Sequence, residues 1–281
     1  MSSACDSCPQ AAGCTSQDSC EKKNGIQKEQ LNPNSKIKLV IGIASGKGGV
    51  GKSFVTSTLA HKLASKGLKV GIMDADITGP SIPRAFGLKG MLETEDGQFI
   101  CPAVTEGGIK AVSLNLLLED ESSPVIWRGP VLSGLVRQFW TDVNWGTLDV
   151  LLIDMPPGTG DVPLTVFQSL PLDGLILVST PQELVSMIVS KAGNMASMMN
   201  VNVLGLVENM AYVKCPHCGE ELSLFGDDTV LLKTMEEYKI PLLDKIPLDP
   251  SVTALVDSGR TESVDVTDLL NKSAEAVEAL L

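Results

Sequence analysis

The chain has 281 residues, of which 43% are apolar and 20% charged, and its formal charge is −12. This composition is sufficient for a buried core and atypical of a disordered chain. The negative charge disfavours DNA phosphates and anionic lipid as partners. No apolar run approaches the roughly 18–20 residues of a membrane-spanning helix, and residues 1–30 lack the apolar segment of a secretory signal. We therefore expect a cytoplasmic protein that binds no nucleic acid and no membrane.

The first 35 residues have the composition of a flexible arm. Residues 1–35 are mostly polar and hold Cys5, Cys8, Cys14 and Cys20. These four thiolates are sufficient to bind one cluster or one zinc ion, and bound metal could order the arm. The chain has seven cysteines in total, and an odd number without an export signal favours metal ligation or catalysis over a disulfide framework.

From Lys36 onward, short apolar runs alternate with helical patterns. Strands are predicted at 39–44, 68–73, 109–114, 150–153, 175–178, 203–207 and 240–246. Helices are predicted at 52–66, 129–141, 184–199, 227–238, 250–258 and 266–281. This alternation predicts one α/β domain, residues 36–281, with a mainly parallel sheet and helices on both faces.

A glycine-rich segment connects the first strand to the first helix. Its residues, Gly46-Lys47-Gly48-Gly49-Val50-Gly51-Lys52-Ser53, fit the pattern G-x-x-x-x-G-K-S. The glycines allow successive N–H groups to face phosphates at a helix N-terminus, which favours negative charge. Lys52 is expected to reach the β- and γ-phosphates and Ser53 to bind Mg²⁺. The segment therefore predicts a P-loop NTPase that binds ATP and Mg²⁺.

Acidic residues follow two of the predicted strands. Asp74 and Asp76 end the second strand, and Asp154 follows the strand at 150–153. The carboxyl edge of an open α/β sheet is where ligands bind. We interpret Asp154 as a partner of Mg²⁺, held through water or through Ser53. A lone Asp after a strand is usually a cap or turn residue, but its combination with the phosphate loop favours function.

A pair of cysteines lies in a predicted turn, Cys215-Pro216-His217-Cys218-Gly219. Two thiolates supply half of the ligands that Zn²⁺ or a four-iron cluster requires. Three interpretations remain open: His217 contributes a ligand, the pair is a redox dithiol, or two copies share one centre across a two-fold axis. The isolated Cys101 is predicted to be a core residue.

Lys47 makes the phosphate loop resemble the deviant P-loop of the MinD and nitrogenase iron protein group. The resemblance implies that Lys47 crosses to the nucleotide of a partner subunit in an ATP-dependent dimer. It also implies that Asp76 positions the attacking water, that Asn209 binds the adenine base and that Asp74 supports the site. The catalytic set is then Lys47, Lys52, Asp76 and Asp154.

Longer motifs make residues 36–281 similar to the Mrp/ApbC-type iron–sulfur carrier ATPases. These motifs are Asp-Ala-Asp-Ile-Thr-Gly-Pro-Ser at 74–81, Trp-Arg-Gly-Pro at 127–130, Asp-Met-Pro-Pro-Gly-Thr-Gly-Asp at 154–161, and Glu-Asn-Met at 208–210 before the cysteine pair. The resemblance implies that Cys215 and Cys218 of two subunits hold a bridging [4Fe–4S] cluster, and that ATP binding or hydrolysis governs its loading and transfer.

The N-terminal cysteines resemble those of the longer-armed branch of the same family. Cys5, Cys8 and Cys14 match the spacing C-x₂-C-x₅-C of that branch, and Cys20 is the candidate fourth ligand. The resemblance favours a second [4Fe–4S] cluster. Zinc, or an empty or labile site, are the alternatives.

The expected function is an ATP-hydrolysing scaffold that assembles a [4Fe–4S] cluster at a dimer interface. The dimer is a homodimer, or a heterodimer with a related subunit, and the recipients are apo iron–sulfur proteins. A MinD/ParA-like positioning ATPase is a first alternative, although the acidic last helix does not suit membrane binding. An ATP-driven electron-transfer reductase component is a second alternative, although such relatives place their cluster cysteines on separate loops.

Overall fold

A computed structural model describes residues 28–76, 81–95, 97–117, 129–158, 160–181, 194, 201–223 and 229–281. Several sequence predictions lie outside these residues. They concern Cys5, Cys8, Cys14, Cys20, the helix at 184–199 and parts of the motifs at 74–81, 127–130 and 154–161.

Twelve strands are present in the described part of the chain. They are β1 (Lys36–Ala44), β2 (Val70–Asp74), β3 (Thr94–Glu95), β4 (Phe99–Ile100), β5 (Ala103–Val104), β6 (Lys110–Ser113), β7 (Thr147–Asp154), β8 (Gly174–Ser179), β9 (Val203–Glu208), β10 (Val213–Lys214), β11 (Glu221–Leu222) and β12 (Leu242–Lys245). The helices described are α1 (Lys52–Ser65), α2 (Ser81–Ala85), α3 (Gly129–Thr141), α4 (Asp161–Ser169), α5 (Thr229–Tyr238), α6 (Pro250–Asp257) and α7 (Asn271–Glu278).

Eight of these strands form one sheet in the order β12-β9-β8-β1-β7-β2-β6-β5. All neighbours pair in parallel except β5 and β6 at one edge. The strands β10 and β11 form a separate antiparallel hairpin, as do β3 and β4. The predicted fold class, a single P-loop NTPase domain with a mainly parallel sheet, is confirmed.

The apolar runs of the central strands supply two cores, one on each face of the sheet. Along β1, Val40 contributes to one core while Leu39 and Ile41 contribute to the other. Helices α3, α4 and α5 cover the face that includes Val40. Helices α1, α2, α6 and α7 cover the face that includes Leu39 and Ile41. Because both faces are buried, these strands are continuously apolar rather than alternating.

The last helix is shorter than predicted. It begins at Asn271 rather than at residue 266, and Lys62 Nζ binds the carbonyls of Val266 and Thr267, which a longer helix would use as acceptors. Asp265 accepts the N–H of Thr267 at 2.9 Å, and Lys62 Nζ donates to the carbonyl of Thr267 at 2.9 Å. Leu270 then adopts a left-handed conformation, with φ of 54°. The prediction of a helix over 266–281 is therefore wrong at both ends.

The prediction that Cys101 is a core residue is also wrong. Its side chain is half-buried, since it follows β4, which pairs with β3 in a small sheet outside the main one. The helices α2 and α4 and the two-residue strands were not predicted. For the remaining elements other than the last helix, predicted and observed bounds differ by at most three residues.

The end of the predicted N-terminal arm packs on the domain. The N–H of Glu29 donates to the carbonyl of Ser169 at 2.8 Å, and Nε1 of Trp140 donates to the carbonyl of Glu29 at 3.0 Å. Asn32 is buried. Residues 28–35 therefore contact α3 and α4. None of the helices in the described ranges is long and apolar enough to cross a membrane.

Candidate nucleotide and cluster sites

The phosphate loop connects the central strand β1 to helix α1. Gly49 and Gly51 both have φ of 79°, a left-handed conformation that glycine adopts readily. Gly51 also lies close to another segment, since a Cβ there would be 2.1 Å from Nδ2 of Asn209. Residues 48–53 of this loop line a cavity of about 780 Å³, which is of the size typical of small-molecule sites.

Asp154 ends β7, next to β1 in the sheet, and its carboxylate accepts three hydrogen bonds. Lys52 Nζ donates to Oδ1 at 2.8 Å, Thr56 Oγ1 donates to Oδ1 at 2.8 Å, and Ser53 Oγ donates to Oδ2 at 2.6 Å. Asp154 is fully buried. These bonds compensate the cost of burying its charge and hold the carboxylate against the residues expected to contact phosphate and Mg²⁺.

Lys52 also approaches the second acidic segment. Its Nζ lies 3.2 Å from Oδ2 of Asp76. Burial lowers the pKa of this lysine, but attraction to Asp154 and Asp76 outweighs burial, so the net pKa is raised. Lys52 therefore stays positively charged, as a phosphate ligand requires.

Asp74 is buried at the end of β2, where it pairs with Asp154 in the sheet register. Its Oδ2 accepts the hydroxyl of Ser113 at 2.8 Å, and its Oδ1 accepts the N–H of Asp76 at 3.1 Å. Burial, followed by repulsion from Asp154, raises the pKa of Asp74 well above its ordinary value. Asp74 thus supports the backbone of Asp76, which lines the phosphate cavity.

Asn209 follows β9, on the opposite side of β1 from the acidic residues. Its N–H donates to the carbonyl of Ser179 at 2.8 Å, and its Nδ2 donates to the carbonyl of Val50 at 2.9 Å. It also lines a second cavity of about 550 Å³ together with the loop after β12. The side chain thus links the phosphate loop to a neighbouring space with largely apolar walls.

The cysteine pair occupies the turn of the β10–β11 hairpin. The N–H of Cys215 donates to the carbonyl of Glu220, and the N–H of Gly219 donates to the carbonyl of Cys215, both at 2.9 Å. Gly219 has φ of 75°, so this position favours glycine. Cys215 is half-buried and Cys218 is exposed. The prediction that the pair lies in a turn is confirmed.

Backbone groups of the turn act on the first thiol. Hydrogen bonds from the N–H groups of Cys218 and His217, and then from the thiol of Cys218, lower the pKa of Cys215. Metals bind the thiolate rather than the thiol. Within the described ranges, no group of three or more His, Cys, Asp or Glu side chains is arranged to hold a metal ion. The β10–β11 hairpin therefore offers a metal two thiol ligands, Cys215 and Cys218.

The structure brings together most of the residues that the sequence selected for the nucleotide. Lys52, Ser53 and Asp76 line the first cavity, and the buried Asp154 binds Lys52 and Ser53 behind it. Lys47 is half-buried in the same loop, and its carbonyl accepts the hydroxyl of Ser45 at 3.0 Å.

Sequence reasoning missed two hydroxyl residues of this site, Thr56 and Ser113. Thr56 lies four positions after Lys52 on α1 and thus on the same helix face, a spacing that could have identified it. Ser113 lies on β6 and had no comparable signal, because it reaches Asp74 only through strand pairing.

Comparison with known proteins gives a consistent result. A family model described as ParA, NUBPL iron-transfer P-loop NTPase, matches residues 36–280. An iron-sulfur cluster carrier protein of Clostridium perfringens is 46% identical, covering 89% of this chain and 93% of that protein. A cytosolic Fe-S cluster assembly factor of Kluyveromyces lactis is 41% identical, covering 84% of this chain and 86% of that protein.

Solved structures agree with the fold. A nucleotide-binding protein from Archaeoglobus fulgidus in complex with ADP is 45% identical, with a TM-score of 0.73 over 83% of this chain and 92% of that one. The cell division ATPase MinD of Pyrococcus furiosus has a TM-score of 0.60 over 86% of this chain and 99% of that one, at 20% identity, and so shows a shared fold alone. This chain belongs to the NUBPL iron-transfer P-loop NTPase family.

Proposed function

We propose that this chain binds and hydrolyses Mg²⁺–ATP and carries an iron–sulfur cluster on Cys215 and Cys218 for delivery to apo iron–sulfur proteins. The observation that carries the proposal is that one domain holds both a phosphate loop with its acidic partners and an accessible thiol pair. Segment 209–214 runs directly from the phosphate-loop contact of Asn209 to Cys215. The names of the two relatives, an iron-sulfur cluster carrier protein and an Fe-S cluster assembly factor, agree with this role.

The nucleotide half of the proposal assigns each residue one task. The N–H groups of residues 46–51 and the Nζ of Lys52 bind the phosphates, because a helix N-terminus and a charged donor both favour anions. Ser53 and Asp154 hold Mg²⁺, Ser53 by its hydroxyl and Asp154 by its carboxylate or through water. Asp76 positions the attacking water, and Asn209 lies beside the base.

The cluster half of the proposal requires two copies of the chain. A [4Fe–4S] cluster takes four thiolates, and each hairpin supplies two, so a two-fold dimer or a related partner subunit completes the set. The lowered pKa of Cys215 favours the thiolate that iron binds. In this dimer Lys47 contacts the nucleotide of the partner subunit, which makes hydrolysis depend on association.

The test of the cluster site is anaerobic reconstitution of the full chain with iron, sulfide and a reducing thiol. We expect iron and sulfide in equal amounts, cluster absorbance and a dimeric mass. Cys215→Ser and Cys218→Ser should each abolish the shared cluster, while Cys101→Ser serves as the matched control, since it alters another non-disulfide cysteine outside the hairpin. The same Cys215→Ser chain should keep its affinity for ATP. Iron and sulfide contents that stay at the wild-type level in both hairpin variants would refute the assignment.

The test of coupling uses the two lysines of the phosphate loop. Lys52→Ala should abolish ATP binding, whereas Lys47→Ala should retain binding but lose hydrolysis and ATP-dependent dimerisation. Lys89→Ala, at an exposed position that does not line the phosphate cavity, controls for loss of a positive charge. If Lys47→Ala hydrolyses ATP at the wild-type rate, the trans contact is wrong, while cluster binding by the hairpin would stand.

The N-terminal cysteines are proposed as a second site. A separate [4Fe–4S] cluster would be bound by Cys5, Cys8, Cys14 and Cys20. The iron content of the Cys215→Ser variant measures this cluster, because the variant lacks the cluster shared between the hairpins. We also propose a cytoplasmic location, in line with the name of the Kluyveromyces lactis relative, a cytosolic Fe-S cluster assembly factor.

A further inference from the structure

Two cavities meet at the C-terminal end of helix α6. The cavity of about 780 Å³ follows the phosphate loop, and the cavity of about 550 Å³ extends past Asn209. Both are lined by Gly51, Phe54, Val256 and Asp257. Under the proposed function the phosphates occupy the first cavity and the base the second. The ribose connects phosphate to base covalently, so it must lie at this shared boundary.

Asp257 is the one residue of these four with a polar side chain. It is exposed and is the last residue of α6. A carboxylate accepts hydrogen bonds from hydroxyl groups, and an acidic side chain performs this task for the ribose in dinucleotide-binding sites. The chemistry of Asp257 therefore matches the sugar that this boundary would hold.

The position of Asp257 is unfavourable for the helix itself. The C-terminus of a helix carries partial negative charge, so an aspartate there is repelled. Among the described residues, no ion pair compensates this charge. Folding stability therefore does not account for an acidic residue at this place, whereas a ligand contact does.

We propose that Asp257 binds the ribose hydroxyl groups of the nucleotide and makes the site selective for ribonucleotides. This inference depends on the proposed ATP binding, and it adds to that binding a residue that determines sugar specificity. The carboxylate is solvated in the free chain, so each lost hydrogen bond weakens affinity modestly, about three- to tenfold.

The experiment measures the affinities of the full, anaerobically purified chain for Mg²⁺ complexes of ATP, 2′-deoxy-ATP and 3′-deoxy-ATP by titration calorimetry. The wild-type chain should bind ATP about three- to tenfold more tightly than at least one deoxy analogue. Asp257→Ala should bind all three equally. Glu237→Ala is the control for the loss of a carboxylate, because Glu237 is exposed on α5 and lines neither cavity. That variant should keep the wild-type preference.

Thermal unfolding separates a ligand contact from a structural role. Removing a carboxylate from a helix C-terminus should leave the midpoint of Asp257→Ala unchanged or raise it, whereas a structural aspartate would lower it. The inference is overturned if the wild-type chain has no preference for ATP over either analogue, or if Asp257→Ala keeps that preference. Failure of the wild-type chain to bind ATP would instead overturn the proposed function, and this inference with it.

Discussion

Gly49 and Gly51 provide a test of how the phosphate loop is held against Asn209. Both glycines have φ of 79°, a conformation that costs an L-residue about 1–2 kcal/mol. Their surroundings differ, since a Cβ on Gly49 would meet nothing within 4 Å, whereas a Cβ on Gly51 would lie 2.1 Å from Nδ2 of Asn209. Gly51→Ala must therefore displace the amide of Asn209.

The contacts of Asn209 set the size of the effect. Its Nδ2 donates to the carbonyl of Val50 at 2.9 Å, and the residue is 4% exposed. Displacing the amide leaves buried polar groups unpaired, which costs about 1–3 kcal/mol. In both variants alanine also restricts the unfolded chain, which offsets about 0.4–1 kcal/mol of the strain. We expect the free energy of unfolding to fall by about 1 kcal/mol in Gly49→Ala and about 3 kcal/mol in Gly51→Ala.

The assay is urea unfolding of the nucleotide-free chain under reducing conditions, with the slope m compared among variants. A double variant isolates the contact, because Asn209→Ala removes the amide with which the new Cβ collides. Gly51→Ala and Asn209→Ala should then be non-additive, with a coupling energy of at least about 1 kcal/mol. Equal losses in Gly49→Ala and Gly51→Ala, or additive losses in the double variant, would refute this reasoning.

Three further predictions concern residues around the site. Thr56→Val removes a donor to the buried Asp154, so it should lower the free energy of unfolding by about 1–2 kcal/mol and slow phosphate release from ATP. Thr56→Ser keeps the hydroxyl and should preserve both the stability and the rate. Equal behaviour of the two variants would count against the contact. Asp249→Ala removes the N-cap of α6 and should cost about 1 kcal/mol. Hydrogen bonds from Ser251 lower the pKa of Asp249 below its ordinary 3.8. The stabilisation by the cap is therefore present above pH 3.8 and is lost as the pH falls through the lowered pKa. If Asp249→Ala still unfolds at a lower temperature than the wild-type chain in stronger acid, this pH dependence is contradicted. Lys62→Met removes the donor that binds the side-chain oxygen of Asn271 at 2.6 Å. The free energy of unfolding should fall by about 2 kcal/mol, while the KM for ATP stays unchanged. A changed KM would show that Lys62 acts on the nucleotide site.

The features that the sequence predicted depend on neighbours along the chain. The phosphate loop, the strand before Asp154 and the cysteine turn each lie within one short segment, and their chemistry follows from residue type and spacing. The continuous apolar runs also predicted a sheet buried on both faces, because such strands have no solvent-facing side. The last helix was predicted too long, since its periodic pattern extends over residues 266 and 267, whose carbonyls are bound by Lys62.

The features that only the tertiary structure decided depend on contacts between distant segments. Asn209 and Val50 are 159 positions apart in the chain, yet one hydrogen bond joins them. Asp257 lies between two cavities because α6 packs against α2 at the edge of the first cavity, which no local pattern of that helix predicts. Spacing along the chain determined which groups are present, while packing of the sheet and its helices determined which of them meet.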